Sequence, residues 1–304
     1  MPGGIITTGN HPKLLWPGIA AIWGLTYDQH PTEWTDLYDQ KTSEKAYEED
    51  LQSTGFGLAV IKRQGTGVHY ATHAQGFITR SVHVAYALGY IVTHEELQDN
   101  QYKEVASKRA EANAFSMRQT KERVAALIYN RAFDSNYVGG DAVCMCSASH
   151  PSKAGLWSNA LTPAADISEM ALEDMCVMVY GATNDLGHQI NLVPQSLHVH
   201  WSNWFEANRI LKSVNQNDTA NNAINVLRST GVFPGGIKLN HYFSDADAFF
   251  VRTNIPRGMI AWDRESIPLK QDNDFDTMNA KAFAYERYSF NWTDPRGVYG
   301  SEGA

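Results

Sequence analysis

From Phe77 to Val92 the chain alternates, placing Val82, Val84, Tyr86, Leu88, Tyr90 and Val92 on one side, the period of a half-buried strand. Directly after it, Thr93 to Phe133 contains neither Gly nor Pro. A helix over that span would run about 60 Å, longer than the core of a compact domain needs. Its start is marked by Thr93-His94-Glu95-Glu96, a capping box in which the Thr93 hydroxyl and the Glu96 carboxylate satisfy free amides reciprocally. Glu104, Lys108, Glu111, Arg118 and Glu122 form a charged stripe with opposite charges four apart. Tyr102, Val105, Ala106, Ala110, Met117, Val124, Leu127 and Ile128 lie broadly opposite and predict the packed face.

Upstream, Phe56–Lys62 reads as a strand, Arg63–Gly67 as a turn and Val68 onward as a second strand. A long two-stranded hairpin is marginal alone in water, so it is expected to lie on another surface, a neighbouring subunit included. Met1 to about Ser53 has no clean period and carries Trp16, Trp23, Tyr27, Trp34, Tyr38 and Tyr47. Such an aromatic arm either packs on a partner or forms a layer on its own domain. Downstream, Asp134–Pro163 reads as loop, and Asp166-Ile167-Ser168-Glu169 as a capping box opening a helix to about Asn184. Leu197–His200, Ile237–Tyr242 and Ala248–Thr253 read as strands, Asn203–Ser213 and Asn221–Ser229 as helices. Met259–Lys270 and Ala280–Trp292 form a closing pair of strands.

The 304 residues carry 43% hydrophobic side chains and a net charge of −8, enough for a core and without the basic clusters that non-specific DNA binding requires. Cys144, Cys146 and Cys176 make no disulfide framework, which points to a reduced, intracellular folding environment. No signal peptide or membrane span is predicted: Pro17 and Gly18 interrupt Leu14–Ile22, and Val82–Val92 is too short.

The candidate chemistry is thin. Asp272-Asn273-Asp274-Phe275-Asp276 begins like a calcium loop, but Thr277 stands where Gly and Phe283 where Glu is needed. His198 and His200 would share one side of a strand, as metal ligands do, yet no third ligand has the right spacing. Cys144, Cys146 and His150 could suggest a thiol nucleophile, without a local activating group. Two sequons, Asn217-Asp218-Thr219 and Asn291-Trp292-Thr293, carry no weight without a secretory signal. No dinucleotide, phosphate-loop or serine-hydrolase motif is present, so no catalytic, metal or cofactor residue is assigned. A projecting hairpin, a long helix and an aromatic arm fit an assembly protein.

Several motifs resemble the Mu-like phage major head subunit (gpT-like) family in order along nearly the whole chain. They are Gly9-Asn10-His11-Pro12-Lys13, Leu15-Trp16-Pro17-Gly18, Ser43-Glu44-Lys45-Ala46-Tyr47-Glu48-Glu49-Asp50 and Gly55-Phe56-Gly57. Further on come Ser149-His150-Pro151, Pro234-Gly235-Gly236 and Asp245-Ala246-Asp247-Ala248-Phe249-Phe250. The most specific are the last: Asp272–Thr277, Glu286-Arg287-Tyr288-Ser289-Phe290 and Asp294-Pro295-Arg296-Gly297. The resemblance implies an α+β HK97-like capsid fold. It is divided as an N-terminal arm (1–53), an extended loop hairpin with its base strands (54–92), a peripheral domain with spine helix 93–133 (93–162), an axial domain (163–257) and returning C-terminal strands (258–304). It implies a non-enzymatic major capsid protein of a tailed double-stranded DNA bacteriophage, self-assembling through pentamers and hexamers into the icosahedral head of a virion, assembled in the host cytoplasm. Its partners would be other copies, a separate scaffolding protein, a portal and a decoration protein, around packaged DNA bound without sequence preference, with no large propeptide and no membrane. Trp16, Trp23, Phe56, Lys62, Arg63, His69, Tyr70 and Arg80 are the expected inter-subunit contacts. The alternatives are a metal-dependent enzyme using His198 and His200, and a tail-tube or other virion protein.

Overall fold

The computed structural model describes residues 16–93, 95, 102–216, 223–274 and 279–304. The Gly9–Lys13 motif, the Thr93 cap's partners His94 and Glu96, the Asn217–Thr219 sequon and Phe275–Thr277 of the acidic turn lie outside them.

The arm is more regular than its sequence suggests. It forms α1 (Trp16–Gln29), a one-turn α2 (Trp34–Leu37) and β1 (Asp39–Thr42). Pro17 does not break α1, because a first-turn proline gives up an amide that has no helical partner. Next come β2 (Tyr47–Ser53), β3 (Gln75–Val82) and β4 (Val84–Val92), then the spine helix α3, Tyr102–Asn130 as described. At 29 residues it is about 43 Å long. It ends three residues before the expected Phe133.

Two corrections concern the strands. Phe56–Lys62 and Val68–Ala74 are not strands; the hairpin is β2 with β3, which starts only at Gln75, joined by irregular chain. The alternating run is also not one strand. It breaks at His83, where β3 leaves its β2 partner and β4 joins β11 (Ala280–Trp292). The His83 ring is buried and bonded to Ser289 Oγ at 2.9 Å and Ser43 Oγ at 3.1 Å, which fixes the break.

The first sheet has the order β1-β10-β11-β4, with β10 at Met259–Asn273. The second has the order β12-β9-β7-β8, from Pro194–His200 (β7), Ile237–Asn240 (β8), Phe249–Thr253 (β9) and Val298–Ser301 (β12). A short β5–β6 hairpin (His150–Ser152, Gly155–Trp157) precedes α4 (Glu169–Tyr180). The capping residue of α4 is Ser168, whose Oγ accepts from the Ala171 amide, rather than Asp166. The helices α5 (Trp204–Lys212) and α6 (Val226–Thr230) complete the second lobe.

The helix α3 serves both lobes. Its buried face includes Ala110, Ala114, Met117, Lys121, Ala125 and Tyr129, at steps of three and four. The expected apolar face is rotated: Leu127 is exposed, and Glu122 of the supposed charged stripe is buried. Toward the N-terminus, α3 packs with Ile19 and Trp23 of α1 over Ala280, Ala282 and Ala284 of β11. Trp23 Nε1 donates to Asn113 Oδ1 at 2.9 Å, and Asn113 Nδ2 donates to the Leu88 carbonyl at 2.9 Å, linking α1, α3 and β4. Toward the C-terminus, Tyr129 meets the rings of Tyr38, Phe243 and Phe250 at 6.0, 5.5 and 5.2 Å. That central cluster reaches Met259 and Trp292 of the first sheet and Phe250 of the second. A separate core, with Leu172, Met175, Leu197, Ile210 and Phe249, holds α4 and α5 on the second sheet.

Tyr129→Ala is therefore expected to cost about 3–5 kcal/mol in urea unfolding, the range for emptying a large aromatic site. Tyr129→Phe, which loses only the 3.2 Å hydroxyl bond to the Leu37 carbonyl, should cost about 1 kcal/mol. Equal losses for the two would show that the hydroxyl, and not the ring, carries the junction.

Candidate assembly surfaces

The β2–β3 hairpin is anchored firmly at its root. Asn291 Nδ2 donates to Ser81 Oγ at 3.0 Å, and Arg257 Nη1 to Asp50 Oδ1 at 2.9 Å. Gly140 lies so close that a Cβ there would come within 2.5 Å of Thr79 Oγ1. At the far end, the Thr54 amide and hydroxyl both donate to the Ala74 carbonyl, at 3.0 and 2.9 Å. Beyond that closure, residues 55–73 carry only a turn at Gln64–Gly65, with Gly65 at φ +82°. Phe56, Leu58, Val60, Ile61, Val68 and Tyr70 are 59–94% exposed. Lys62, Arg63 and His69 are exposed among them, and no Asp or Glu occurs from Thr54 to Gln75. A set of large apolar side chains this open is unusual for a protein that stays alone.

The remaining expected contacts divide. Arg80 is exposed at the hairpin root, paired with Glu49 at 2.6 Å and stacked 4.6 Å from the Tyr47 ring. Trp16 opens α1, with its side chain outside the described set. Trp23 is a correction: at 2% exposure, stacked on Tyr27 at 4.9 Å, it is committed inside its own subunit and has no surface to offer a neighbour.

Two other surfaces stand open. β4 is an edge strand with no charged residue, and Val84, Leu88 and Ile91 are exposed on it. Beside its first half lies a groove of about 460 Å³ between α3 and the sheet, lined by Val82, Val84, Tyr86, Leu127, Val138 and Phe290 among others. On the second lobe, α4 exposes Met170, Val177 and Tyr180, while Trp201 and Phe205 protrude at the start of α5.

The candidate chemical groups are all engaged internally. His150 is fully buried, with Nδ1 2.6 Å from Asp141 Oδ2 and Nε2 2.9 Å from Asn159 Oδ1. Neither nitrogen is left to activate a thiol. Cys144 donates to the Cys146 carbonyl, and burial pushes all three thiols up, Cys176 to about 12. Asp141 and Asn159 were not foreseen, since nothing local in the sequence marks them as partners of His150. His198 bonds to Ser196 Oγ and His200 to Ser202 Oγ. Burial lowers His198 to about 3, and no metal-binding group of three ligands exists among the described residues. No described helix is long and apolar enough to cross a membrane.

Glu122 is the buried acid with the clearest consequence. Its two oxygens accept from the Glu33 and Trp34 amides at 3.1 and 2.9 Å, tying α2 to α3. Burial outweighs those bonds and lifts the carboxyl to about 7.

With this geometry the class is clear: the chain has an HK97-like capsid fold. It superposes on a virus-like particle protein from Pyrococcus furiosus with TM-score 0.53, at 11% identity over 94% of this chain and 98% of that one. The capsid of Myoviridae phage XM1 gives 0.51 at 12% identity, over 99% and 100%. The holo-SrpI encapsulin complex from Synechococcus elongatus gives 0.52 at 9%, over 90% and 88%. No curated protein matches the chain in sequence. The family model described as phage capsid protein matches residues 79–301, and the chain belongs to that family. Its function is that of a capsid protein.

The Glu122 shift has a definite sign. A carboxyl raised from 4.5 to about 7 by folding holds its proton in the native state over a window where the unfolded chain has lost it. Stability should fall as pH rises from about 4.5 through about 7, by at most about 3 kcal/mol. Glu286, also raised by burial, acts in the same direction. His198 opposes both below its ordinary 6.5, because the folded chain cannot take up its proton until about pH 3. The difference between wild type and Glu122→Gln isolates the effect: in urea unfolding at pH 5 and pH 8, wild type should lose more stability across the interval than the variant. Parallel pH dependences would refute the assignment.

Proposed function

We propose that the chain is the major head subunit of a tailed double-stranded DNA phage of the Mu-like, gpT-type subfamily, building an icosahedral shell through pentamers and hexamers. The observation that carries this reading is the long exposed loop, rich in open apolar side chains and held out on an anchored hairpin, in a member of the phage capsid protein family. Such a surface is costly in a free protein and useful in a closed assembly. The ordered motifs Asp272–Thr277, Glu286–Phe290 and Asp294–Gly297 support the subfamily.

On this reading residues 1–53 are the arm, although β2 makes Tyr47–Ser53 part of the hairpin. Residues 54–92 hold the loop and its base strands, 93–162 the peripheral domain, 163–257 the axial domain that meets at the symmetry axes, and 258–304 the returning strands. The exposed Met170, Val177 and Tyr180 on α4, with the exposed Trp201 and Phe205, suit head-to-tail contacts around an axis. A separate scaffolding protein, a portal and a decoration protein are the further partners. A net charge of −8 keeps the shell wall from gripping packaged DNA.

Electron microscopy of the expressed chain, with and without the scaffold partner, tests the reading. Round shells, or five- and six-membered rings, are the expected result. Stacked hexameric rings without five-fold vertices would point instead to a tail-tube protein, and a uniform monomer in both conditions would overturn the capsid assignment. Replacing residues 56–72 by a short Gly-Ser link keeps the Thr54–Ala74 closure. It should leave folded subunits with wild-type circular dichroism and shell yield reduced at least tenfold.

A further inference from the structure

The two lobes are joined in two different ways. One join is the chain itself: the β9–β10 and β11–β12 connections cross side by side, and the Thr293 amide donates to the Gly258 carbonyl at 3.1 Å. They run so close that a Cβ on Gly297 would come within 2.6 Å of Gly258 Cα. The other join is Glu33–Asp39 of the arm. Toward α3 this segment is held by burial and main-chain bonds. Trp34, Leu37 and Tyr38 are buried, the Tyr38 hydroxyl donates to the Ala125 carbonyl at 2.7 Å, and Glu122 takes the Glu33 and Trp34 amides. Toward the second lobe, its polar contacts among the described residues are all made by charged groups. Glu33 accepts from the His241 amide at 2.8 Å and bonds the His241 ring. Asp36 pairs with Lys238 at 3.0 Å. Arg252 donates to the Asp36 carbonyl at 2.8 Å with one nitrogen and to Asp39 at 3.0 Å with another.

We propose that Glu33–Asp39 is a charge-operated clasp: it stays on α3 while its three acids hold or release Lys238, His241 and Arg252, so that ionic conditions set the angle of the second lobe on the first. The acids recur every third residue, and each meets a different base. Neither β8 nor β9 contains an acid, so Lys238 and Arg252 have no opposite charge on their own strands. These two cations stand on either side of β7, and the arm supplies the negative charge that holds their face down. The pairs are also open to dissolved ions. The side chains of Asp36, Lys238, Asp39 and His241 are 37–62% exposed, and ion pairs this open are individually weak and screened by salt. Held by one segment, the three act together. When they release, the second lobe keeps its chain crossings and the contacts of Phe243 and Phe250 with Tyr129, about which it can turn.

The test measures one distance between the lobes of the full chain. Spin labels are placed on Leu25→Cys of α1 and Met170→Cys of α4, both exposed, while Cys144, Cys146 and Cys176 are buried. Labelled chain is diluted into unlabelled chain, so that pulsed electron resonance reads pairs within one subunit whether or not copies assemble. In about 10 mM salt one narrow distance is expected. In about 1 M salt, where the Debye length falls to about 3 Å, it should shift and broaden. The variant Glu33→Gln/Asp36→Asn/Asp39→Asn should show the shifted, broad distribution at both salt concentrations. A wild-type distance that ignores salt, or a neutralised variant that keeps the narrow distance, would overturn the proposal. So would a variant that still responds to salt as the wild type does, because the salt would then act elsewhere. A charge swap covers the case in which the triple variant does not fold. Asp36→Lys at its half-exposed position should open the clasp, and Asp36→Lys/Lys238→Asp should close it again; absence of rescue overturns the proposal. The readout lies within one subunit, so its failure leaves the capsid reading intact, and a failure to form shells leaves the clasp intact.

Discussion

A helix that turns alanines toward its neighbours lets them approach its backbone closely, and that closeness organises the subunit. Ala110, Ala114, Ala125 and Ala126 are fully buried along α3, where α1, α2 and the two sheets converge. Larger residues there would push the layers apart; smaller ones would leave the helix without dispersion contacts. Where the layers diverge, Tyr129 fills the gap and binds four aromatic rings, including His198 of the second sheet at 6.4 Å. The geometry of both lobes thus depends on one helical face. The hairpin inherits it, since its root is fixed by Asn291 and Gly140 on elements packed against that face.

This dependence explains what could be read from the chain and what could not. Elements bounded by their own residues were legible: the uninterrupted spine helix, the β10–β11 pair, the strand at His198 and the Ser168-capped α4 all lie near where their sequences put them. The buried face of α3 was misread because alanine gives no strong hydrophobic signal, and because Glu122 looks like a solvent residue until the two α2 amides are placed over it. The α2–α3 contact joins residues 88 and 89 apart in sequence, and no local pattern encodes that distance. The break at His83 was hidden for a similar reason. Alternation continues through it, while the pairing partner changes from β2 to β11. Trp23 was assigned to a partner because an exposed-looking aromatic and a buried one are alike in sequence; only Asn113 tells them apart.

The misassigned strand at Phe56–Lys62 is of another kind. Its local preference is real, and the isolated subunit does not meet it. Natural sequences are locally consistent with their folds, so such a conflict marks a place where the single chain is not the whole folding unit. The same holds for the open β4 edge, which carries none of the charges or prolines that normally block edge pairing. Two unblocked, unpaired β-forming segments in one chain would invite uncontrolled aggregation if they could meet in any geometry. Here the anchored root limits where the loop can reach, and Arg109 and Asn113 of α3 already occupy two carbonyls in the second half of β4. A contact between unlike patches on identical subunits is heterologous, and it either closes into rings or grows without limit. The loop carries little regular structure within the subunit, so contacts made through it come at an ordering cost. A shell built from many such contacts can correct misplaced subunits during growth and still be stable when closed.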